Sequence, residues 1–326
     1  MPKQSAAAMA HPNIAFIKYW GNRDRELRIP ANSSLSMNLE GLETKTLVRF
    51  DSELAQDEFI LNEEPASHEA AGRVTAFLDV VRGMANLPER ASVASKNNFP
   101  SGAGVASSAS AFAALALAAS RAAGLVLDTN ALSRLARRGS GSASRSVPDG
   151  FVEWHAGEND ADSYAESVAP ADHWALRDCI VVVSEAHKAI GSSEGHDLAD
   201  SSPFQEARIA GAQERLENCR RAIVERDFAT LADVVELDSL MMHSVMMSSM
   251  PALFYWEPAT LGVLKAVRAW RADGLEACAT VDAGPNVHVI CPEAQASEIV
   301  EQLTRLPGVL RVLESSVGGG AKWLEL

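Results

Sequence analysis

A loop of small residues is the part of the sequence best suited to bind a phosphate group. Residues 100–110 read Pro-Ser-Gly-Ala-Gly-Val-Ala-Ser-Ser-Ala-Ser, and the alanine-rich run that follows predicts a buried helix over 105–123. Small residues let the backbone approach a ligand, and a helix N-terminus offers free N–H groups and positive dipole charge. The loop therefore predicts a phosphate cradle. It matches neither the Walker A nor the dinucleotide-binding pattern, so composition alone also allows a flexible linker or close helix packing.

Three charged residues elsewhere suit acid–base chemistry or anion binding. Lys18 lies in an apolar predicted strand, Arg145 follows a glycine–serine loop, and Asp282 begins a turn after a predicted strand. A carboxylate can accept or orient a proton, and an ammonium or a guanidinium can bind an anion. Structural alternatives are an ordinary turn at Asp282 and a Lys18 ammonium that extends to the surface. Arg145 could belong to the solvated basic face that we predict for Arg134 and Arg137.

Composition excludes several classes of protein. The chain has 326 residues, and 29 lysines and arginines against 43 aspartates and glutamates give a formal net charge of −14, so we predict no nucleic-acid partner. Hydrophobic residues make up 47%, which supports a packed core. The most apolar stretch, 111–119, is far shorter than the ~20 residues that span a bilayer. Four widely spaced cysteines are typical of reduced thiols, so we expect a cytoplasmic protein without membrane association.

Hydrophobic periodicity predicts the elements that must position these residues. In the first half we predict strands at 13–20, 46–50 and 91–95, and helices at 73–84, 105–123 and 131–138. In the second half we predict strands at 179–183, 277–281 and 287–291, and helices at 202–225, 228–247, 258–272 and 293–303. Residues 51–69 are expected to form an exposed hairpin or loop, and 139–144 and 158–170 are expected to be loops. This order indicates an α+β protein with two domains, 1–175 and 176–326.

Four motifs occur in order along nearly the whole chain. They are 13–21 (Asn-Ile-Ala-Phe-Ile-Lys-Tyr-Trp-Gly), 97–110, 139–146 (Gly-Ser-Gly-Ser-Ala-Ser-Arg-Ser) and 282–286 (Asp-Ala-Gly-Pro-Asn). Together they resemble the mevalonate diphosphate decarboxylase family of the galactokinase, homoserine kinase, mevalonate kinase and phosphomevalonate kinase superfamily. The resemblance implies a two-domain small-molecule kinase fold. Its N-terminal domain would be ribosomal protein S5 domain 2-like, and its C-terminal domain would be ferredoxin-like and contribute the catalytic aspartate.

The resemblance also implies an activity and a set of site residues. The reaction would be an ATP- and Mg²⁺-dependent decarboxylation of a 5-phosphorylated mevalonate in isoprenoid biosynthesis. Asp282 would take the proton of the 3-hydroxyl, Lys18 would lie beside it, and Arg145 would hold the substrate carboxylate. The implied substrate-binding residues are Tyr19, Ser140, Ser142, Ser192 and His196. The implied ATP-binding residues are Ser95, Asn97, Pro100, Gly102, Gly104, Ser107 and Ser108, with Ser107 also a magnesium ligand. We expect a homodimer.

Departures from the family pattern affect the expected substrate. Asn22 replaces the family's second lysine, His196 replaces a methionine, and Gly191 replaces a serine. Because a diphosphate carries about one more negative charge than a monophosphate, loss of a lysine should weaken its binding selectively. The sequence therefore favours mevalonate 5-phosphate, with the 5-diphosphate as the alternative. A mevalonate 3-kinase and a non-catalytic nucleotide-binding regulator are less favoured, because Lys18 and Asp282 are both present.

Overall fold

The computed structural model describes residues 4–99, 107–186 and 191–325. The strands of the first half are β1 (Ser5–Ala10), β2 (Asn13–Ile17), β3 (Asn22–Asp24), β4 (Ile29–Pro30), β5 (Ser34–Asn38), β6 (Thr44–Asp51), β7 (Glu58–Leu61), β8 (Glu64–Pro65), β9 (Arg90–Asn97), β10 (Phe151–Trp154) and β11 (Ala165–Ala169). Its helices are α1 (His68–Ala85), α2 (Ser107–Ala122) and α3 (Thr129–Gly139), followed by a 3₁₀ turn over Gly141–Ser146.

The second half begins with a strand and then becomes largely helical before the chain returns to the sheets. Its strands are β12 (Leu176–Val182), β13 (Cys278–Val281), β14 (Val287–Pro292), β15 (Arg311–Ser316) and β16 (Lys322–Leu324). Its α-helices are α4 (Ser192–Leu198), α5 (Gln205–Ala210), α6 (Ala212–Glu225), α7 (Phe228–Ser248), α8 (Pro258–Ala272) and α9 (Glu293–Thr304), with a 3₁₀ turn over Ala199–Ser201 between α4 and α5.

The first layer is a six-stranded sheet in the order β16–β1–β6–β9–β7–β8. Helices α1 and α2 cover it, and its core is built from small and aromatic side chains such as Ala8, Val48, Phe77 and Ala114. Nearly every residue of α2 is buried, because alanine side chains let the helix lie close to β1 and β6. The predicted buried helix is thereby confirmed along its described length.

Three further sheets are the four-stranded β11–β10–β5–β2 and β13–β14–β12–β15 and the two-stranded β3–β4. Helix α7 contacts both β2 and β13, so one helix links the two four-stranded sheets. Helices α8 and α9 pack on the other face of the β13–β14–β12–β15 sheet, where Val181, Val289 and Ile299 belong to one apolar cluster. The ends of β2 and β13 therefore meet beside α7.

The predicted elements differ from the structure mainly where polar residues are buried. β5 was not predicted, although all five of its residues are buried, because its sequence Ser-Leu-Ser-Met-Asn is polar at alternate positions. The prediction also missed six other strands, β1, β3, β4, β10, β15 and β16, and β11 lies within the predicted loop 158–170. The predicted helix 202–225 is interrupted at Gly211, where a Cβ would lie 2.7 Å from the Arg215 guanidinium. Residues 58–65 form the expected hairpin, and part of the predicted loop 139–144 is the 3₁₀ turn.

Other predictions concern burial and segment length. Arg137 was predicted to be solvated, but its side chain is fully buried and donates from Nε to the Leu27 carbonyl at 3.0 Å. It also donates to Ser163 and pairs with Asp160, so the prediction was wrong and Arg137 is structural. Within the described residues, no helix has the length and apolar character needed to cross a membrane. The domain division at 175/176 stays a prediction.

Candidate active site

The Lys18 and Asp282 side chains form an ion pair between two sheets. Lys18 directly follows β2 and is 1% exposed, and its Nζ lies 2.5 Å from Asp282 Oδ1. Asp282 directly follows β13 and keeps 29% of its side-chain surface exposed. A buried ammonium requires such a partner, because removal from water disfavours an unpaired charge. The predicted pairing of Lys18 with Asp282 is therefore present, and the alternative of a surface-directed lysine is excluded.

The turn that carries Asp282 is held from both sides. The Asn286 Oδ1 accepts the backbone N–H groups of Val183 and Ser184 at 2.8 and 3.1 Å, which ties the turn to the end of β12. From α8, the Thr260 hydroxyl donates to the Pro285 carbonyl at 2.6 Å. The motif at 282–286 thus fixes the backbone next to Asp282 through its asparagine and proline positions.

Lys18 is held by buried charges that sequence reasoning missed. Asp238 on α7 accepts the Lys18 backbone N–H at 2.6 Å and the Arg215 Nε–H at 2.7 Å. Arg208 donates to the carbonyl oxygens of Lys18 at 2.7 Å and Trp20 at 3.2 Å. These side chains replace strand partners, which explains why β2 ends at Ile17 although the apolar pattern predicts a strand to residue 20. Arg208 and Arg215 lie in polar helices, so no local pattern in the sequence marks them.

Arg145 is buried beside the same ion pair. It lies in the 3₁₀ turn, is 3% exposed, and donates to Ser34 Oγ at 2.6 Å and to Asn13 Oδ1 at 3.2 Å. Its Nε has no hydrogen-bond partner among the described residues. Burial lowers the pKa of Arg145 to about 10, and the nearby Asp282 opposes that shift. Arg145 is therefore a cation at neutral pH with donor capacity left for a ligand.

A cleft of about 800 Å³, measured out to its open mouth, joins these groups. Its lining includes every residue predicted to be catalytic or to bind substrate. These are Lys18, Tyr19, Ser140, Ser142, Arg145, Ser192, His196 and Asp282. Ser108 and Arg28 also line the cleft. Three cations against one carboxylate make the cleft suited to an anionic ligand. Arg28 was not predicted, because its surroundings in the sequence are ordinary polar loop residues.

One end of the cleft is built from an aromatic stack with neutral polar groups. The His196 ring lies 4.0 Å from the Tyr19 ring, and its Nδ1 accepts the Gly21 N–H at 3.0 Å. Burial and the charges of Arg28 and Arg208 lower the pKa of His196 to about 3, so the ring is neutral with its proton on Nε2.

The other aromatic residue of the stack is also neutral. Burial raises the pKa of Tyr19 to about 12, and its hydroxyl donates to Asn22 Oδ1 at 2.5 Å. These two side chains add no positive charge to this end of the cleft, and Arg28 is among the cations that act on both.

A second, more apolar cleft meets the first at Ser108, which lines both. Its walls are mainly apolar and aromatic with a few polar side chains, as is usual of small-molecule sites. The lining residues are Phe59, Leu61, Ala70, Arg73, Val74, Val93, Ser95, Asn97, Ser107, Ser108, Ala111, Phe112 and Leu115. Four predicted ATP-binding residues are therefore here. Pro100, Gly102 and Gly104 lie outside the described residues.

The donor set at the junction of the clefts is compatible with magnesium. Ser107 and Ser108 open α2, and the Ser108 hydroxyl lies 3.2 Å from that of Ser140. The described part of the chain contains no cluster of three histidine, cysteine or acidic side chains that could hold a metal. Mg²⁺ commonly takes few protein oxygens and completes its shell with phosphates and water, so the hydroxyls present fit it.

Comparison with known proteins places this architecture in a family. Residues 10–165 match the diphosphomevalonate decarboxylase-like N-terminal domain, and residues 179–318 match the mevalonate 5-diphosphate decarboxylase C-terminal domain. The structure has a TM-score of 0.93 and 36% identity to mevalonate diphosphate decarboxylase of Enterococcus faecalis, covering 99% of this chain and 100% of that one. Another structure with the same TM-score, identity and coverage is described as MDDEF in complex with MVAPP, AMPPCP and magnesium.

Proteins of similar sequence belong to the same family. The chain is 39% identical over 317 residues to diphosphomevalonate decarboxylase mvd1 of Aspergillus fumigatus, covering 90% of this chain and 78% of the relative. It is 37% identical over 324 residues to the human diphosphomevalonate decarboxylase, covering 92% and 80%. It is also 33% identical over 299 residues to a phosphomevalonate decarboxylase of Haloferax volcanii, covering 91% of each.

The family models and the relatives identify an ATP-dependent carboxy-lyase built on the two-domain fold of the galactokinase, homoserine kinase, mevalonate kinase and phosphomevalonate kinase superfamily. The predicted α+β class and the predicted enzyme class are thereby confirmed. The chain belongs to the diphosphomevalonate decarboxylase family of the mevalonate pathway.

Proposed function

We propose that this chain converts mevalonate 5-diphosphate and ATP to isopentenyl diphosphate, carbon dioxide, ADP and phosphate. The observation that carries the proposal is the joining of Lys18, Arg145 and Asp282 in one anion-binding cleft that meets an apolar cleft at Ser108. The sequence favoured the 5-monophosphate as substrate. Most of the relatives and solved structures described above are diphosphate decarboxylases, which supports the diphosphate better and makes it the main proposal.

Asp282 is the proton acceptor in this proposal. Its Oδ1 is held by Lys18, which leaves Oδ2 for the 3-hydroxyl of the substrate. Burial opposes ionisation, but Lys18, His288 and Arg145 lower the pKa of Asp282, so it is a carboxylate at neutral pH. It accepts or orients the hydroxyl proton as the 3-oxygen takes the terminal phosphoryl group of ATP. Lys18 balances the charge of this carboxylate.

Arg145 acts on the other end of the reacting carbon chain. Its planar guanidinium holds the substrate carboxylate in two parallel hydrogen bonds, which a lysine cannot reproduce. The C1–C2 bond then breaks, its electron pair forms the C2–C3 double bond, and phosphate leaves from C3 as carbon dioxide departs. The walls of the cleft fix the carboxylate and the leaving group relative to each other, which is the main contribution an enzyme makes to such a step.

Ser107 and Ser108 would hold Mg²⁺ at the junction of the clefts. Bound there, the ion supplies charge neutralisation for the phosphates of ATP. Ser95 and Asn97 on β9 are proposed to contact the nucleotide, and both are pre-positioned: Ser95 by the Thr46 hydroxyl at 2.6 Å and Asn97 by the Thr44 hydroxyl at 2.7 Å.

A second candidate substrate is mevalonate 5-phosphate. The observation that favours it is that His196 and Asn22 add no positive charge to that of Arg28 at this end of the cleft, because His196 is neutral and Asn22 is an amide engaged by Tyr19. A monophosphate carries about one less negative charge than a diphosphate and therefore needs fewer cations at this end. Ser140, Ser142 and Ser192 are proposed to contact the phosphoryl end in either case.

The test is an assay of purified protein with ATP, Mg²⁺ and each of mevalonate, its 5-phosphate and its 5-diphosphate, following carbon dioxide and ADP. We expect equal amounts of carbon dioxide and ADP, with the highest kcat/KM for the diphosphate. A higher kcat/KM for the monophosphate would select the second candidate. ADP without carbon dioxide would indicate a 3-kinase, and no turnover of any compound would indicate a nucleotide-binding regulator.

Two further proposals concern the oligomeric state of the protein and its location in the cell. We propose a homodimer, which light scattering of the purified protein would test against a monomer of 34.8 kDa. We also propose a cytoplasmic location, which cell fractionation would test.

A further inference from the structure

Two buried ionisable side chains in the β13–β14–β12–β15 sheet do not line the substrate cleft. Asp178 on β12 and His288 on β14 are 0% and 2% exposed, and His288 Nδ1 lies 2.7 Å from Asp178 Oδ2. Asp178 Oδ1 and His288 Nε2 are buried without a hydrogen-bond partner among the described residues. Because unpaired buried polar atoms destabilise a fold, stability alone explains this pair poorly.

The strand register places the pair on the side of the sheet that carries Asp282. His288 lies opposite Thr280 of β13, and Asp282 follows Thr280 by two residues. Side chains alternate between the faces of a sheet, so Thr280 and Asp282 are directed to the same side. The neighbouring Val289 is directed to the other side, where it packs with the apolar residues of α8 and α9.

We propose that Asp178 and His288 form a positioning pair for Asp282, in which Asp178 holds a proton on the imidazole and the resulting cation keeps Asp282 ionised next to Lys18. The link to catalysis rests on the proposed function, because it assumes that an ionised Asp282 serves the reaction. The charge coupling itself depends only on the arrangement of the side chains.

The electrostatics of the two groups agree with this arrangement. Burial alone would lower the pKa of His288, but Asp178 and Asp282 raise it above the usual range of a histidine. In the same way His288 contributes, after Lys18, to lowering the pKa of Asp282. The geometric basis of this coupling is the register, in which His288 lies opposite Thr280, two residues before Asp282.

Other charged groups near the pair are already balanced or uncharged. From β12 the imidazole faces Asp178, from the turn after β13 it faces Asp282, and from the segment after β2 it faces Lys18. Helix α7, which packs against β13, carries Glu236 bound by Arg268 and Arg271, Asp238 bound by Arg215, and His243, whose pKa burial lowers to about 4. Asp178 and Asp282 therefore remain as the carboxylates that stabilise the imidazolium.

The first measurement needs no catalytic activity. The His288 imidazole is titrated by NMR in histidine-labelled protein, with His288→Gln to assign the signal. We expect a pKa above the usual histidine range in the wild type and a lower one in Asp178→Asn. Because coupling is reciprocal, Asp282→Asn should also lower the His288 pKa. Glu293→Gln, which removes an exposed carboxylate at the first residue of α9, should leave the His288 pKa unchanged. An unchanged His288 pKa in Asp282→Asn would overturn the proposal.

The second measurement links the pair to turnover. Asp178→Asn and His288→Gln should lower kcat/KM at pH 7 by roughly three- to thirtyfold, the range for groups coupled through a network. The acidic limb of the pH profile should move to higher pH in His288→Gln, because loss of the imidazolium raises the pKa of Asp282. A pH profile identical to that of the wild type, with only the melting temperature changed, would assign the pair a merely structural role. Absence of turnover in the wild type would refute the proposed function instead, while the titration would still decide the coupling.

Discussion

Replacement of Asp282 by asparagine separates the role of its charge from the role of its shape. The amide oxygen can still accept the Lys18 ammonium, but it can no longer take the proton of a substrate hydroxyl. Loss of a general base lowers turnover by roughly 10²–10⁴-fold. ATP affinity should stay within a few-fold, because Asp282 lines the substrate cleft and not the apolar cleft.

The effect of this replacement on stability follows from the burial of Lys18. Breaking a buried ion pair costs about 3–5 kcal/mol, and the partial exposure of Asp282 places the expected cost at about 3 kcal/mol. Natural domains have about 5–15 kcal/mol of stability, so the variant should remain folded. Replacing both partners, as Lys18→Met with Asp282→Asn, should recover part of the loss because no uncompensated charge remains.

Acidification should reduce the stability that the Asp282 carboxylate contributes to the folded protein. The pKa of Asp282 is lowered in the folded protein, so its stabilisation is present above the usual aspartate range and is lost as the pH falls through the folded-state pKa. The stability difference between wild type and Asp282→Asn should therefore shrink on acidification.

The assay combines carbon dioxide release, nucleotide titration by fluorescence and denaturant unfolding. Asp273→Asn is the matched control, because it makes the same chemical change at an exposed residue after α8. Turnover of Asp282→Asn within a few-fold of the wild type, with the control unaffected, would refute the assignment of Asp282 as proton acceptor.

Three further predictions use the same assays. Arg145→Lys should lower kcat for decarboxylation with little change in ATP affinity, because a point charge cannot reproduce the planar fork; a change in unfolding free energy alone would contradict this. Asn22→Lys should shift the kcat/KM ratio toward the diphosphate by roughly tenfold to a hundredfold, since a charge-assisted hydrogen bond contributes ~1.5–3 kcal/mol; an unchanged ratio would show that position 22 does not face the phosphates. Asp238→Asn should lower kcat and cost about 3–5 kcal/mol in denaturant unfolding, because it leaves Arg215 without its carboxylate and weakens the hold on the Lys18 backbone.

The helices were largely predictable because their periodicity is long and regular. Helix α8 has the predicted bounds, and α7 and α9 differ from prediction by one residue each. Strand β5 could not be predicted in this way, because its buried polar side chains are satisfied by partners far away in the sequence. Ser34 accepts from Arg145, and Asn38 donates to the Pro148 carbonyl. Local patterns do not contain such tertiary hydrogen bonds.

The residues of the site also include some that the sequence identified and some that it did not. Motif resemblance pointed to Lys18, Arg145 and Asp282, and the structure brings them to one cleft. It did not point to Arg208 or Asp238, which do not line the cleft and act through the backbone of Lys18. A side chain that bonds to the main chain of another residue leaves no pattern in a single sequence. Every residue type has the same main-chain groups, so the bond does not depend on which residue is held.

The pairing of β16 with β1 has a consequence for how the chain folds during synthesis. Ala7 lies opposite Leu324 in the register, so a contact near the start of the sequence is completed by residues made more than three hundred positions later. Until Lys322–Leu324 emerge from the ribosome, β1 is an edge with free N–H and C=O groups, a template for pairing with another chain. Contacts of such separation also slow folding. Nascent chains of this protein should therefore depend on early chaperone binding more than chains whose first sheet closes locally, and fusions that hinder β16 should increase aggregation during expression.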